Sequence, residues 1–297
     1  MTAELERIRS SVLSWYAGAR RDFPWRGTTD PYAVLVSEVM LQQTQASRVA
    51  DRFPRFMRRF PTVAALAGAS DAQVIAEWSG LGYNRRAIAL RAAALMVERD
   101  GWPADVAGLE RLPGVGPYTA RAVASLAFAI PVGVVDTNVR RWLLRRLGGP
   151  DVPGRLQAVA DALAETGRGP DVAAWTHASM ELGAAVCRAR SPRCDACPVA
   201  DGCPSHHCAT RVAVPRQAPL RGSDRAYRGA LLKRLSGAPD HRLPESVARR
   251  ELTSDAASIG PRLDDAGWER VVAGLERDGL AHRGEGGLRL GAATIGR

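Results

Sequence analysis

The sequence predicts an all-α protein that ends in a small α+β module. Three observations carry this. Apolar residues recur at three- and four-residue steps through the first two thirds of the 297 residues, no alternating strand pattern precedes about residue 275, and a short glycine-centred hairpin closes the chain.

The elements follow in order. Leu5-Ile8-Val12-Trp15 mark the buried stripe of a first helix. Asp30-Pro31 reads as a capping residue followed by proline in the first turn, opening a helix predicted over Thr29 to Ser47. Ile88 to Met96, Ala120 to Phe128 and Trp142 to Leu147 repeat the helical period, and Gly80, Gly82, Gly114 and Gly116 break it with turns. The segment Arg211 to Arg225 carries two prolines, several arginines and little periodicity, so it reads as a linker. Beyond it, Ala226-Leu231-Leu232-Leu235 and Trp268-Val271-Val272-Leu275 predict two helices. Gly279 to Arg283 and Leu288 to Leu290 then flank a Gly284-Glu285-Gly286-Gly287 turn, which gives the C-terminal module a winged-helix-like pattern over 226–297.

The formal charge is +10 and the pI about 10.2, which makes a polyanion the natural partner class. Nearly all of the positive charge is arginine, Lys233 being the only lysine. No run approaches the roughly 20 apolar residues of a membrane-spanning helix, and the charged opening MTAELERIRSSVLSWY lacks the apolar core of a secretory signal, so a cytoplasmic protein without a membrane partner is expected. A reducing compartment argues against disulfides among the five cysteines. Cys187, Cys194, Cys197 and Cys203, separated by six, two and five residues, are close enough to converge on one inorganic centre. Four thiolates suit either a [4Fe-4S] cluster or a structural zinc, and only Cys194 and Cys197 form the two-residue-spaced knuckle that zinc ribbons use in pairs. Cys208 stands outside the pattern as a plain thiol.

Two carboxylates stand out. Glu38 lies in the apolar run Val34 to Leu41, where poor solvation raises a carboxyl pKa and favours the protonated form a general acid needs; a Glu reaching solvent or a buried arginine is the alternative. Asp136 sits where the apolar run Pro131 to Val135 meets a helix, an N-cap position, and an ionised cap can also face a developing cation. Leu112-Pro113-Gly114-Val115-Gly116-Pro117-Tyr118-Thr119-Ala120 places Gly114 and Gly116 before a helix start, where bare backbone N–H groups and the helix dipole favour an anion.

Taken together, the Cys-x6-Cys-x2-Cys-x5-Cys ladder and LPGVGPYTA resemble the cluster loop and hairpin of the helix-hairpin-helix DNA glycosylases, in the endonuclease III and MutY branches. SEVMLQQT and VVDTNVRR resemble the motifs of the MutY-type adenine glycosylases. The resemblance runs from about residue 20 to 205. It implies a two-lobed fold, with a six-helix barrel lobe over residues 26–130 and an iron–sulfur lobe over 1–25 and 131–210, a linker over 211–225, and the small C-terminal module. It also implies a monomer that acts on mismatched double-stranded DNA in the nucleoid, with a [4Fe-4S] cluster on the four cysteines. In this family Glu38 protonates the departing adenine, Asp136 stabilises the sugar cation, and Tyr118 and Asn138 assist. Gln43, Thr44 and Tyr83 match residues that probe the opposite base and wedge into the duplex. Gly114 and Gly116 match a phosphate cradle, and Arg188, Arg190 and Arg193 on the cysteine loop face the DNA backbone. Bifunctional relatives carry a hairpin lysine that forms a Schiff base with the sugar; Tyr118 here implies hydrolysis without strand cleavage. The implied reaction is removal of adenine opposite 8-oxoguanine or guanine; removal of thymine, uracil or hypoxanthine by the same fold is the alternative. Two departures bear on that choice: Thr137 stands where the family has glycine, and the tail is shorter than the Nudix-like domain of many adenine glycosylases.

Overall fold

The computed structural model describes residues 2–167, 169–207, 219–254 and 259–293; Cys208 and most of the predicted linker lie outside them. The chain divides into two compact units. The first comprises Met1–Glu38, Pro103–Arg111 and Val115–Pro215, the second Val39–Trp102, Leu112–Gly114 and Arg216–Arg297.

In the first unit, α1 (Thr2–Ala19) packs against helices late in the sequence: α9 (Thr137–Leu147), α10 (Pro153–Glu165) and α11 (Pro170–Glu181). Ile8, Val12, Trp142, Leu143, Trp175 and Leu182 fill this core, with the two indoles edge to face at 6.5 Å. The helices α7 (Val106–Glu110) and α8 (Pro117–Phe128) form the hairpin. Asp105 caps α7 by accepting from the Gly108 N–H at 2.6 Å, and Pro117 starts α8 where no N–H is needed. Between them Gly114 adopts φ +77°, and an added Cβ would lie 2.8 Å from Ala89 Cβ, so both conformation and space demand glycine there.

The helix α2 (Pro31–Leu41) begins as predicted, with the Asp30 carboxylate accepting from the N–H groups of Tyr32 (3.1 Å) and Ala33 (3.3 Å). It stops six residues earlier than the periodicity suggests, and α3 (Ala46–Arg59) follows a break at 42–45. The cause is distant in sequence. Arg86 donates to the carbonyl oxygens of Val39 (2.7 Å), Met40 (3.0 Å) and Gln42, satisfying the groups a terminating helix leaves bare.

The second unit continues through α4 (Val63–Ala67), α5 (Asp71–Trp78) and α6 (Arg85–Asp100), with Phe56, Phe60 and Trp78 stacked edge to face in its core. The C-terminal module adds α12 (Asp224–Gly237), α13 (Glu245–Ser254) and α14 (Asp265–Arg277). Its antiparallel sheet pairs β1 (Arg242–Leu243) with β3 (Gly287–Leu290) and β3 with β2 (Ala281–Gly284). The hairpin stands where the sequence placed it. The strand β1 is additional, and at two residues it is too short to show an alternating pattern. Tyr227, Leu231, Trp268, Val271 and Leu288 form the module core, which closes over Ile75 of α5. No helix among the described residues is long and apolar enough to cross a membrane.

Candidate active site

Glu38 occupies the third turn of α2, a helix buried nearly all round because it is apolar on every face, and is itself only 4% exposed. The Tyr118 hydroxyl donates to it, 2.9 Å from Oε2. Burial pushes the Glu38 carboxyl up to about 7; the Tyr118 bond opposes this and the negative charge of Asp136 adds to it. Tyr118 in turn is held well above the ordinary phenol range by burial and by the two carboxylates, so it remains a proton-bearing donor.

Asp136 caps α9 as its position predicts. Oδ1 accepts from the N–H groups of Asn138 (2.9 Å) and Val139 (2.6 Å), and Oδ2 accepts from the Asn138 side-chain amide (2.8 Å). Burial raises this carboxyl above its ordinary range too, and the three donors and the nearby Arg141 guanidinium offset only part of the rise. Asn138 is oriented in turn by Arg141, which donates to its Oδ1 at 2.8 Å. The same guanidinium donates to the carbonyl oxygens of Gly183 (2.6 Å) and Cys187 (2.7 Å). Gly183 permits this approach, since a Cβ there would sit 2.4 Å from the Asn138 carbonyl oxygen. A chain of contacts thus runs from the backbone of the first ladder cysteine through Arg141 and Asn138 to Asp136. Thr137, the departure from the family triplet, is solvent-exposed, and its φ is not positive, so it neither crowds Asp136 nor strains the turn.

Glu38, Tyr118, Asp136 and Asn138, singled out separately in the sequence, therefore meet at one place in the first unit. The four ladder cysteines also converge: Cys187, Cys194, Cys197 and Cys203 line a single small cavity with Arg145, Val186 and His206. Arg145 is buried and directs one nitrogen at Cys187 Sγ (3.5 Å), and burial pushes the Cys197 thiol up. A buried guanidinium beside gathered thiols suits a centre that binds them as thiolates. Arg190 and Arg193 are exposed on this loop, whereas Arg188 folds back to donate to the Ser191 carbonyl oxygen at 3.2 Å.

The second unit gathers the other predicted contacts. Gln43 and Tyr83 are exposed and hold left-handed φ values of 56° and 49°, conformations that cost a non-glycine residue on the order of 1 kcal/mol. Arg86, which sequence reasoning passed over, ties their segments together by donating to Thr44 Oγ1 (3.0 Å) and the Gly82 carbonyl oxygen (2.9 Å). It lies against the rings of Trp78 and Tyr83, and burial draws its pKa down to about 10, so it stays cationic. Gly114, and Gly116 of the first unit, are both exposed in the hairpin loop.

A further cluster went unread in the sequence. Glu181 is fully buried in the first unit and paired with Arg21 and Arg26, and His177, one turn earlier on α11, is driven down to about 3 by burial and by Arg26 and Arg20. The available signal was a lone carboxylate in the apolar run Ala178 to Val186.

Residues 36–166 match the HhH-GPD superfamily of base excision DNA repair proteins, and residues 187–203, beginning and ending on ladder cysteines, match the iron–sulfur binding domain of endonuclease III. An adenine DNA glycosylase of Mycobacterium tuberculosis (strain ATCC 25618 / H37Rv) is 42% identical over 290 residues, spanning 92% of this chain and 90% of the relative. One from Mycolicibacterium smegmatis is 40% identical over 294 residues, spanning 93% and 96%. Among solved structures, a thermostable thymine-DNA glycosylase superposes with a TM-score of 0.63 at 28% identity, covering 69% of this chain and 97% of that one. With matching sequence over nearly its whole length, the chain belongs to the adenine DNA glycosylase family.

Proposed function

We propose that this chain is a monofunctional glycosylase that hydrolyses the N-glycosidic bond of adenine opposite 8-oxoguanine or guanine in double-stranded DNA. One observation carries the reading: a buried, proton-retaining Glu38 and a thrice hydrogen-bonded Asp136 share the surroundings of one tyrosine hydroxyl. Breaking a glycosidic bond needs such an asymmetric pair, one group to protonate the departing base and one to face the oxocarbenium-like sugar. Glu38 supplies the proton to adenine N7 as the C1′–N9 bond breaks, so the base leaves neutral. Asp136, whose donors offset part of the effect of burial, stabilises positive charge at C1′ as the carboxylate until water adds there and passes its proton to the Glu38 carboxylate. Tyr118 fixes Glu38, and Asn138 fixes Asp136.

No amine is offered at the hairpin, since Tyr118 stands there and the only lysine, Lys233, is on α12. The product is therefore an abasic site in an unbroken strand. Cys187, Cys194, Cys197 and Cys203 would hold the [4Fe-4S] cluster, whose contribution is to order their loop and present Arg190 and Arg193 to phosphates. Gln43, Thr44 and Tyr83 engage the opposite base, and the exposed hairpin glycines Gly114 and Gly116 admit a backbone phosphate. The adenine-family identity favours adenine over thymine, uracil or hypoxanthine, an alternative that the exposed Thr137 does nothing to support.

The test is base release from a panel of mismatched duplexes by the purified monomeric chain. Free adenine from A opposite 8-oxoguanine or G, with nicking only after alkali, is expected. Preferential release of a pyrimidine, or nicking without alkali, would overturn the reading.

A further inference from the structure

The second unit contains a groove of about 1040 Å³, most of whose lining has no role in the proposed function. Its floor is apolar, with Ile75 and Leu232 buried beneath it and Leu280 at one side. Its edge carries Tyr83 and Leu220, 41% and 56% exposed, two of only four large apolar side chains exposed among the described residues. Six cationic side chains line it against one carboxylate, Asp278, which is already paired with Arg228 and, at 3.7 Å, with Arg85. Arg225 and Arg228, one turn apart on a face of α12, and Lys233 further along the same helix all line the groove. Arg48 joins them from α3.

The wing of the same module is electrostatically different. Arg283 on β2 is surrounded by Glu245 (3.0 Å), Glu269 (2.8 Å) and Glu276 (3.8 Å), so its charge is compensated within the module. A phosphate approaching Arg283 would meet its three carboxylates.

We infer that the groove holds a stretch of DNA backbone, and that α12, rather than the wing, is the nucleic-acid-binding element of the C-terminal module. This rests on the reading that duplex DNA is the substrate. Several observations favour a polyanionic strand over a small ligand. The volume is at the upper limit of small-molecule pockets, which run to about 1,000 Å³. Six cations against one carboxylate leave the lining net positive, and a basic groove edged by an exposed aromatic ring is the combination that holds a strand by phosphate neutralisation and base stacking. The groove also includes Gln43 and Tyr83, so a strand lying in it is continuous with the residues proposed to probe the duplex.

The single lysine makes the inference directly testable. The full-length chain is treated with an amine-reactive reagent with and without a short, fully matched duplex, and modification at Lys233 is read by peptide mass spectrometry. Saturating duplex should protect Lys233, and an unchanged labelling rate would overturn the proposal. Salt-dependent binding of the same duplex gives a second readout. Lys233→Gln and Arg225→Gln should each reduce the slope of log K against log salt by about 0.9, the value of one lost phosphate contact, while Arg283→Gln leaves it unchanged. Equal slopes for the α12 variants and the unaltered chain, or a slope loss confined to Arg283→Gln, would sink it. No base is released from a matched duplex, so a chain that protects Lys233 yet frees no adenine from mismatches upholds the groove and defeats the reading of the reaction.

Discussion

Replacing Glu38 by Gln should stabilise the fold while disabling the chemistry. In the folded chain Glu38 keeps its proton up to about pH 7, whereas a solvated glutamate releases it near 4.5. Between those values the folded state binds more protons than the unfolded one, so stability declines as pH rises through the window and is level above it. A shift of that size is worth about 3 kcal/mol at 1.36 kcal/mol per unit. Glutamine has nearly the same shape and can still accept the Tyr118 hydroxyl bond, but it has no proton to lose. The variant should therefore match the unaltered chain in stability below pH 4.5 and exceed it by about 3 kcal/mol at pH 8. Paired thermal melts across this range, with single-turnover adenine release on the same samples, provide the assay. Release should fall on the order of 100- to 10,000-fold, the usual contribution of a general acid. Equal stability of the two proteins at pH 8 would show that Glu38 is not a desolvated acid, and full turnover would remove it from the reaction.

In the unaltered chain, the single-turnover rate should decline as pH rises through about 7, tracking loss of the Glu38 proton; a flat profile from pH 6 to 9 would contradict this. Asp136→Asn should keep α9 capped, since Asn caps as well as Asp, yet slow release by on the order of 100-fold or more, separating the cap from the charge in one variant. Arg141→Gln should cost about 2 kcal/mol or more by stripping donors from the buried carbonyls of Gly183 and Cys187, and should slow release by on the order of 10-fold through loss of the Asn138 contact. A wild-type rate would show that Asn138 holds Asp136 unaided. Cys194→Ser and Cys197→Ser should each lower the iron-to-protein ratio of purified protein, measured by elemental analysis, and unchanged iron would remove that cysteine from the ligand set.

The residues that sequence made legible share a property: each announces its role within a few positions. Glu38 interrupts an apolar run, Asp136 precedes a helix, the ladder cysteines share one loop, and Gly114 and Gly116 frame a turn. What escaped was long-range. The end of α2 is set by Arg86, more than 40 residues away, and nothing between Thr29 and Ser47 signals a stop. Arg141 reads as one of several arginines on an amphipathic helix, and only the fold shows that it alone joins Asn138 to the backbone of Cys187. Glu181 is legible as an oddity, but its partners Arg21 and Arg26 lie at the other end of the chain. Arginine is abundant enough here that composition hides the few buried ones which determine the site.

The asymmetry between the two carboxylates explains how one site can hold an acid and an anion side by side. Burial raises both, so desolvation works against the carboxylate that must face a cation. Their hydrogen bonds separate them. Glu38 accepts one bond, from a phenol; Asp136 accepts three, two of them from the exposed N–H groups at the start of α9, and has a guanidinium nearby. When a single proton is shared in their vicinity it therefore resides on Glu38, and the negative charge left on Asp136 helps to keep it there. The proton donor is made by what is withheld from Glu38, and the anion by what α9 and Arg141 provide to Asp136.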